Sequence, residues 1–416
     1  MVKEIYGSSK EWVSVEVKLS QSLDPSTLFH LTDNEAGDRF YMRLNDNRTS
    51  YFGYKAIQLF KNNSKNKQSI FKDWEKLKHN ITFIHPQSEK HHLRVVGGFQ
   101  FSSHKSDDEW REFGLNHFVL PEVLISTDNN GTFLTYTVKR ESFTVEALND
   151  LMDLFNNISD IDVDEQIGEI TRNEDIYKDD WRQLVVEAIE SINNEEKIVL
   201  ARRRLIKFDK DISIPYILKQ AYSKEKNSYI FLLESQDSIF FSQTPEQLIK
   251  VNNKILSTKA VAGTIKRSQD EDDIKPYITE LHYDKTPKIL KNDHLYHLYT
   301  EIKAPLKDDS YISLIDNLHP TPALGGYPKE FAMDFIEQKE FGTRGLYGAP
   351  VGYIDIYDDC EFIVAIRSML IKKAQATLFA GCGIVKDSDP DSELAETNLK
   401  FTPMMNALGV DMNGKS

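Results

Sequence analysis

The stretch FAGCGIVKDSDPDSELAETNLK, residues 379–400, sets two glycines, Gly381 and Gly383, just ahead of Asp387, Asp389, Asp391, Glu393 and Glu396. A loop that cradles phosphate follows its glycines with lysine and a helix start, whereas these acids would repel a bare phosphate. Within SELAETNLK, Glu393, Glu396 and Lys400 stand at i, i+3 and i+7, one face of a helix, so two carboxylates and an ammonium point the same way. Surface helices often carry Glu and Lys at this spacing; the glycines add to it by bringing bare backbone amides close to whatever that face holds. A hard divalent cation, magnesium first, suits two protein carboxylates, waters and an anionic substrate oxygen. No His/Cys cluster has zinc spacing, and no GxSxG elbow supports a hydrolase triad.

Two further residues could do proton chemistry. Lys197 opens KIVLAR, a strand-like run that is apolar after its first residue, so its amine can lie at the mouth of a covered sheet. A strand-end lysine is ordinarily solvated, and spacing alone does not promote it. Glu246 follows Thr244 and Pro245 in SQTPEQLIKV, the pattern of a helix or turn start after SIFF, where a glutamate is ordinarily a partner of the helix dipole. AVAGTIKR, 260–267, is a small-residue turn that would let backbone approach a ligand, although turn chemistry explains it as well.

These residues need elements to hold them. The first 140 residues contain short alternating or aromatic runs, RFYMRL, RVVGGFQF and GTFLTYTVKR, which predict antiparallel strands. After an acid-rich stretch, DDWRQLVVEAIESINNEE has apolar residues at helical spacing and feeds the strand KIVLARRRLI at 197–206. Further strands are predicted at SYIFLLES, SIFFSQ, LIKVNNKILST, EFIVAIRSMLIKKA and ATLFAGCGIV, with helices at 329–338 and 392–408. Strands and helices do not alternate one for one, so the fold class is α+β with large antiparallel sheets flanked by helices. The expected organisation is a β-rich half at 1–155, an acidic connector at 156–180 and a second half at 181–416 that carries the chemistry, together forming one compact domain.

The chain has 416 residues, 40% hydrophobic and 28% charged, with net charge -14. That balance argues against a sequence-independent nucleic-acid or anionic-membrane binder, which needs a basic face. Two cysteines, Cys360 and Cys382, make no disulfide framework and fit a reducing compartment. The N-terminus lacks an apolar run of signal-peptide length and no uninterrupted apolar stretch approaches a membrane span, so the expected location is the cytoplasm.

KIVLAR, SQTPEQLI, AVAGT, HLYT, LHPTPALGG, RGLYGAPVGY, EFIVAIRS and FAGCGIV with SELAETNLK occur in this order and resemble the successive signature blocks of the chorismate-utilising enzymes, and among them the isochorismate synthases. The resemblance is strong over 180–410 and weaker before that, chiefly through VVGGFQF and FVLPEVL. It implies that chorismate is the substrate, that Lys197 is the base activating water, and that Glu246 is the acid protonating the departing ring hydroxyl. It further implies magnesium as cofactor on Glu393 and Glu396, and substrate contacts from Ala262, Gly263, Thr264, His297, Tyr347, Arg367, Gly381, Gly383 and Lys400. Members that add ammonia usually have glutamine where this chain has Lys197, so water is the implied nucleophile and no glutamine amidotransferase subunit is expected. Aminodeoxychorismate synthases tend to carry lysine where this chain has Ala262, and HPTPALGG is more similar to isochorismate synthases than to salicylate synthases. The implied role is supply of menaquinone or a catecholate siderophore. The chain departs from the family pattern between AVAGT and HLYT, where a K..EH..VV block bearing another metal ligand has no counterpart; Asp293 and His294 are only superficially similar.

Overall fold

The computed structural model describes residues 5, 7–63, 66–102, 108–159, 167–224, 227–262, 282–283, 288–291, 296–307 and 311–410, with backbone alone at 224, 260–262, 282–283, 288–291, 296–299 and 311. Its architecture follows from one long strand, β6 (Asn116–Asp128). One edge of β6 pairs along its length with β3 (Ser50–Asn62). The other edge is divided: residues 123–128 pair with β7 (Gly131–Lys139), and residues 116–119 pair with β5 (Arg94–Phe99). Pro121, which has no N–H for a ladder, sits between the two pairings.

Two arms leave this strand. The first runs from β3 through β2 (Phe40–Arg43), β10 (Tyr229–Ser235), β11 (Ser238–Thr244), β20 (Ser368–Lys372) and β21 (Gln375–Ile384) to β9 (Lys197–Phe208). The far edge of β9 takes β8 (Ile170–Ile176) at one end and β17 (Gly326–Tyr327) at the other. The second arm runs from β5 through β18 (Pro350–Asp355), β19 (Cys360–Val364), β12 (Gln247–Asn252) and β13 (Ile255–Ala262) to β16 (Tyr296–Pro305). Against β16 lie β14 (His282–Tyr283) and β15 (Lys288–Lys291). All of these pairs are antiparallel, whereas β1 (Trp12–Lys18), beside β7, takes β4 (Ile81–Ile84) in parallel.

The arms pack face to face over a core that includes Phe40, Met42, Phe231, Phe240, Leu370 and Phe379 from the first and Val96, Val351, Tyr353 and Ile363 from the second. On β10, Phe231 and Leu233 enter this core while Ile230 and Leu232 enter the one behind it, so the period-2 pleat buries both faces of YIFLLES. Helices cover the outer faces: α1 (Pro25–Leu31), α2 (Gln68–His79), α3 (Val145–Asn156), α4 (Lys178–Ser191), α5 (Ile214–Lys224), α6 (Tyr311–Leu318), α7 (Lys329–Lys339), α8 (Pro390–Lys400) and α9 (Thr402–Ala407). On α4 the buried residues Trp181, Leu184, Val185 and Ala188 recur at the helical spacing read from the sequence. No described helix is long and apolar enough to cross a membrane.

Several predicted elements are subdivided. LIKVNNKILST is a hairpin, β12 and β13, turned at Asn253 and Lys254, both at positive φ. EFIVAIRSMLIKKA breaks into β19 and β20, and the helix expected over 392–408 is α8 followed by α9 around Phe401. EFIVAIRSMLIKKA breaks because its halves belong to the two different arms, which a straight strand could not join, whereas the hairpin stays within the second arm and turns at its polar residues 252–254.

Candidate active site

The chain passes between the arms at two adjacent points. After β11 in the first arm, Pro245 and Glu246 lead into β12 in the second; after β19 in the second arm, Ala365–Arg367 lead into β20 in the first. The crossings are hydrogen-bonded to each other, with Val364 N donating to Glu246 O at 3.0 Å and Gln243 N donating to Arg367 O at 3.0 Å. The helix or turn start expected at Thr244–Glu246 is therefore a strand-to-strand turn. Arg367 holds φ +48, an uncommon conformation for a side-chain-bearing residue, costing about 1–3 kcal/mol and concentrated at functional sites.

Lys197 begins β9 beside the end of β21, in the register Ile198 to Ile384. A Cβ on Gly383 would meet Lys197 Cε at 2.1 Å and Nζ at 2.7 Å, and one on Gly381 would meet the Tyr347 hydroxyl at 2.6 Å. The two glycines thus form the floor beneath the amine and the phenol, and only the absence of side chains admits both. Tyr347 is buried and stacks on Phe379, with ring centroids 5.4 Å apart.

Electrostatics separates the two proton carriers from ordinary surface groups. Burial lifts the Glu246 carboxyl to about 7, overcoming the opposing pull of Arg367 and Lys197. Burial also lowers the Lys197 ammonium, helped by Lys400 and opposed by Glu396, Cys382 and Glu393. A carboxyl that holds its proton to far higher pH than a solvated glutamate and an amine that holds its proton less tightly than a solvated lysine thus share one site.

Glu393, Glu396 and Lys400 project from α8, whose N-cap Asp389 accepts from Ser392 N at 2.9 Å. Lys400 Nζ donates to Gly381 O at 2.8 Å and pairs with Glu396 at 2.7 Å, tying the helix to the glycine floor. Ser388 Oγ donates to Glu393 Oε1 at 2.7 Å, while Glu393 Oε2 is buried without a nitrogen or oxygen partner, the Cys382 thiol being the neighbour of this carboxylate. An orphaned carboxylate oxygen costs free energy unless something meets it. With Glu396 nearby, the donor set is all oxygen and small, which fits a hard cation that keeps waters and takes substrate oxygens. No group of three or more His, Cys, Asp or Glu able to hold a metal occurs among the described residues.

The structure thus brings together Lys197, Glu246, Tyr347, Arg367, Gly381, Gly383, Glu393, Glu396 and Lys400. Ala262 contributes backbone at the end of β13, opposite Leu298, and His297 lies in β16 opposite Leu290, but the side chains of both lie outside the described residues. Gly263, Thr264, Asp293 and His294 also lie outside them.

The supports of the site carry no mark in the sequence. Glu340 Oε1 accepts from Ala201 N at 2.6 Å, and Arg344 pairs with Glu340 while donating to Leu324 O and Val199 O, which fixes β9 behind Lys197. A Glu and an Arg four apart after a helix read as surface; only burial of both, Arg344 at 4% and Glu340 at 7% exposure, marks them.

Known proteins resemble this chain over most of its length. The family model described as "chorismate binding enzyme" matches residues 3–273 and 271–409. The isochorismate synthase MenF of Bacillus subtilis is 33% identical over 434 aligned positions, covering 94% of this chain and 92% of that protein. The salicylate biosynthesis isochorismate synthase of Pseudomonas aeruginosa is 31% identical over 55% of this chain and 54% of its own length. The solved structure of the menaquinone-specific isochorismate synthase MenF of Escherichia coli superposes with a TM-score of 0.77 at 21% identity, over 96% of this chain and 95% of that one, which shows a shared fold. The 434 aligned positions exceed the 416 residues of the chain, and the two matched segments meet at 271–273, so the Bacillus relative carries residues with no counterpart here. The extent of these matches, over the same residues that build the site, shows that the chain belongs to the chorismate-binding enzyme family.

Proposed function

We propose that this chain is an isochorismate synthase, an isomerase that converts chorismate to isochorismate by adding water at one ring carbon as the hydroxyl two carbons away departs. The observation that carries this reading is the pair Lys197 and Glu246, an amine lowered and a carboxyl raised to about 7 by burial at adjacent points of the site. Neutral Lys197 takes a proton from the attacking water, and protonated Glu246 gives one to the leaving hydroxyl. Arg367 and Tyr347 grip the enolpyruvyl carboxylate, with Gly381 and Gly383 offering backbone amides and Lys400 a further positive charge. Glu393 and Glu396 would hold magnesium, which when bound would supply positive charge to neutralise the ring carboxylate and orient the ring. Ala262, Gly263, Thr264 and His297 complete the substrate contacts. The menaquinone-specific Escherichia relative favours menaquinone supply over a siderophore; a cytoplasmic location and, given Lys197 in place of glutamine, independence of an amidotransferase subunit belong to the same proposal.

The aligned positions missing from this chain favour one second reading, a chorismate-binding protein that does no chemistry. Incubation with chorismate and magnesium, with and without a chelator, followed by chromatography separates the two. Isochorismate that disappears with the chelator is the expected result. Salicylate with pyruvate would move the chain to the salicylate synthases, and unchanged chorismate that nonetheless protects the protein against thermal unfolding would establish binding alone.

A further inference from the structure

The helix that carries Glu393 and Glu396 is gripped from beneath by two arginines of β9. Arg202, 1% exposed, donates from one terminal nitrogen to Leu394 O at 3.1 Å and to Thr397 Oγ1 at 2.8 Å, both inside α8. Its other terminal nitrogen donates to Asp175 on β8. Arg204 Nε donates to the second oxygen of Asp175 at 2.7 Å, and its terminal nitrogen reaches Asn398 Oδ1, again on α8, at 3.1 Å. Trp181 and Phe401 flank the Arg202 guanidinium at 6.0 and 5.4 Å. Thr397 in turn donates to Glu393 O at 3.1 Å.

A buried guanidinium could be replaced at less desolvation cost by an apolar side chain if packing were its only task. Arg202 instead turns one terminal nitrogen to a helix-interior carbonyl and to a hydroxyl one turn from Glu393, while its Nε is buried without a partner. Asp175 accepts from both arginines, and those two cations hold its carboxyl below the usual range despite burial. It reaches them only because β8, within the acid-rich connector, pairs with β9.

We propose that Arg202, braced by Asp175, is a positioning residue for the cation site, setting the height and rotation of α8 so that Glu393 Oε2 faces the cation. The proposal rests on the reading of Glu393 as a cation ligand given above. Residues that orient metal ligands typically change affinity by about 10- to 100-fold when replaced.

The test is Mn2+ binding alone, read by electron paramagnetic resonance on the full chain, beside thermal unfolding, for wild type, E393Q, R202Q and D175N. Saturable binding in wild type is expected, strongly weakened in E393Q and weakened about tenfold in R202Q and D175N. If wild type binds no Mn2+, or E393Q binds as wild type does, the assignment of Glu393 fails and the proposal with it. If E393Q loses binding while R202Q and D175N unfold earlier yet keep wild-type affinity, the arginine is structural and the proposal alone is overturned. Should R202Q not fold, D175N, altered at the rim of the network, decides by the same affinity.

Discussion

At the residue scale, the site depends on side chains that are absent as much as on those present. Gly383 leaves the volume that Lys197 occupies, since a Cβ there would overlap the lysine stem. G383A is therefore expected to displace the amine and reduce kcat by at least about 100-fold, the scale of losing a general base, with K197A lower still and both retaining wild-type circular dichroism. Normal turnover in K197A would remove the base. Glu246 links activity to pH and to stability. Activity is expected to fall as pH rises through about 7, where the carboxyl loses the proton it must donate. Its folded pKa lies above the ordinary 4.5 of the unfolded chain, so the folded state binds more protons in that window and stability falls as pH rises from about 4.5 to about 7. E246Q removes that cost: it is expected to be inactive yet to melt higher than wild type at pH 8, a difference that vanishes near pH 4.

At the scale of elements, the amine is placed by β9, which is held on both edges. Ala201 N, which faces no strand partner beyond the short β17, finds its acceptor in Glu340, and Arg344 closes the gap to the Leu324 carbonyl. Removing one member of a buried pair leaves an uncompensated charge, so E340Q is expected to cost about 3–5 kcal/mol in urea unfolding. A cost below about 1 kcal/mol would mean that the pair is replaceable. The strands themselves were legible in KIVLARRRLI and ATLFAGCGIV because their apolar runs exceed what a loop tolerates. The interruption of EFIVAIRSMLIKKA at Arg367 was not, because the break comes from the strand changing layers rather than from a Gly or Pro in the run.

At the scale of the whole molecule, strands before and after the connector share ladders. Phe40–Arg43 pair with Ile230–Leu233, and Arg94–Gly98 pair with Val351–Asp355. Without residues 1–180, β10 and β18 each lose a neighbour and the core between the arms loses Phe40, Met42 and Val96. A fragment spanning 181–416 is expected to show no cooperative thermal transition in near-ultraviolet circular dichroism. A sharp transition would make the second half a folding unit of its own.

The amino-acid sequence determined the chemistry available: the ordered blocks, the i, i+3, i+7 face of α8, the paired glycines, and the predominance of antiparallel strands, because each is a local pattern of side-chain type and spacing. Tertiary structure decided which of those residues come together. Lys197 and Glu246 lie about 50 positions apart in the chain and read singly as a solvated lysine and a turn glutamate. Only where the chain crosses twice between the arms is Glu246 half-buried beside Arg367 and in the field of Lys197, itself half-buried at the start of β9. Partial desolvation then shifts each away from its solvated value. The same holds for Arg202, Glu340 and Arg344, whose charge predicts a surface position and whose partners, distant in sequence or set on another element, permit burial.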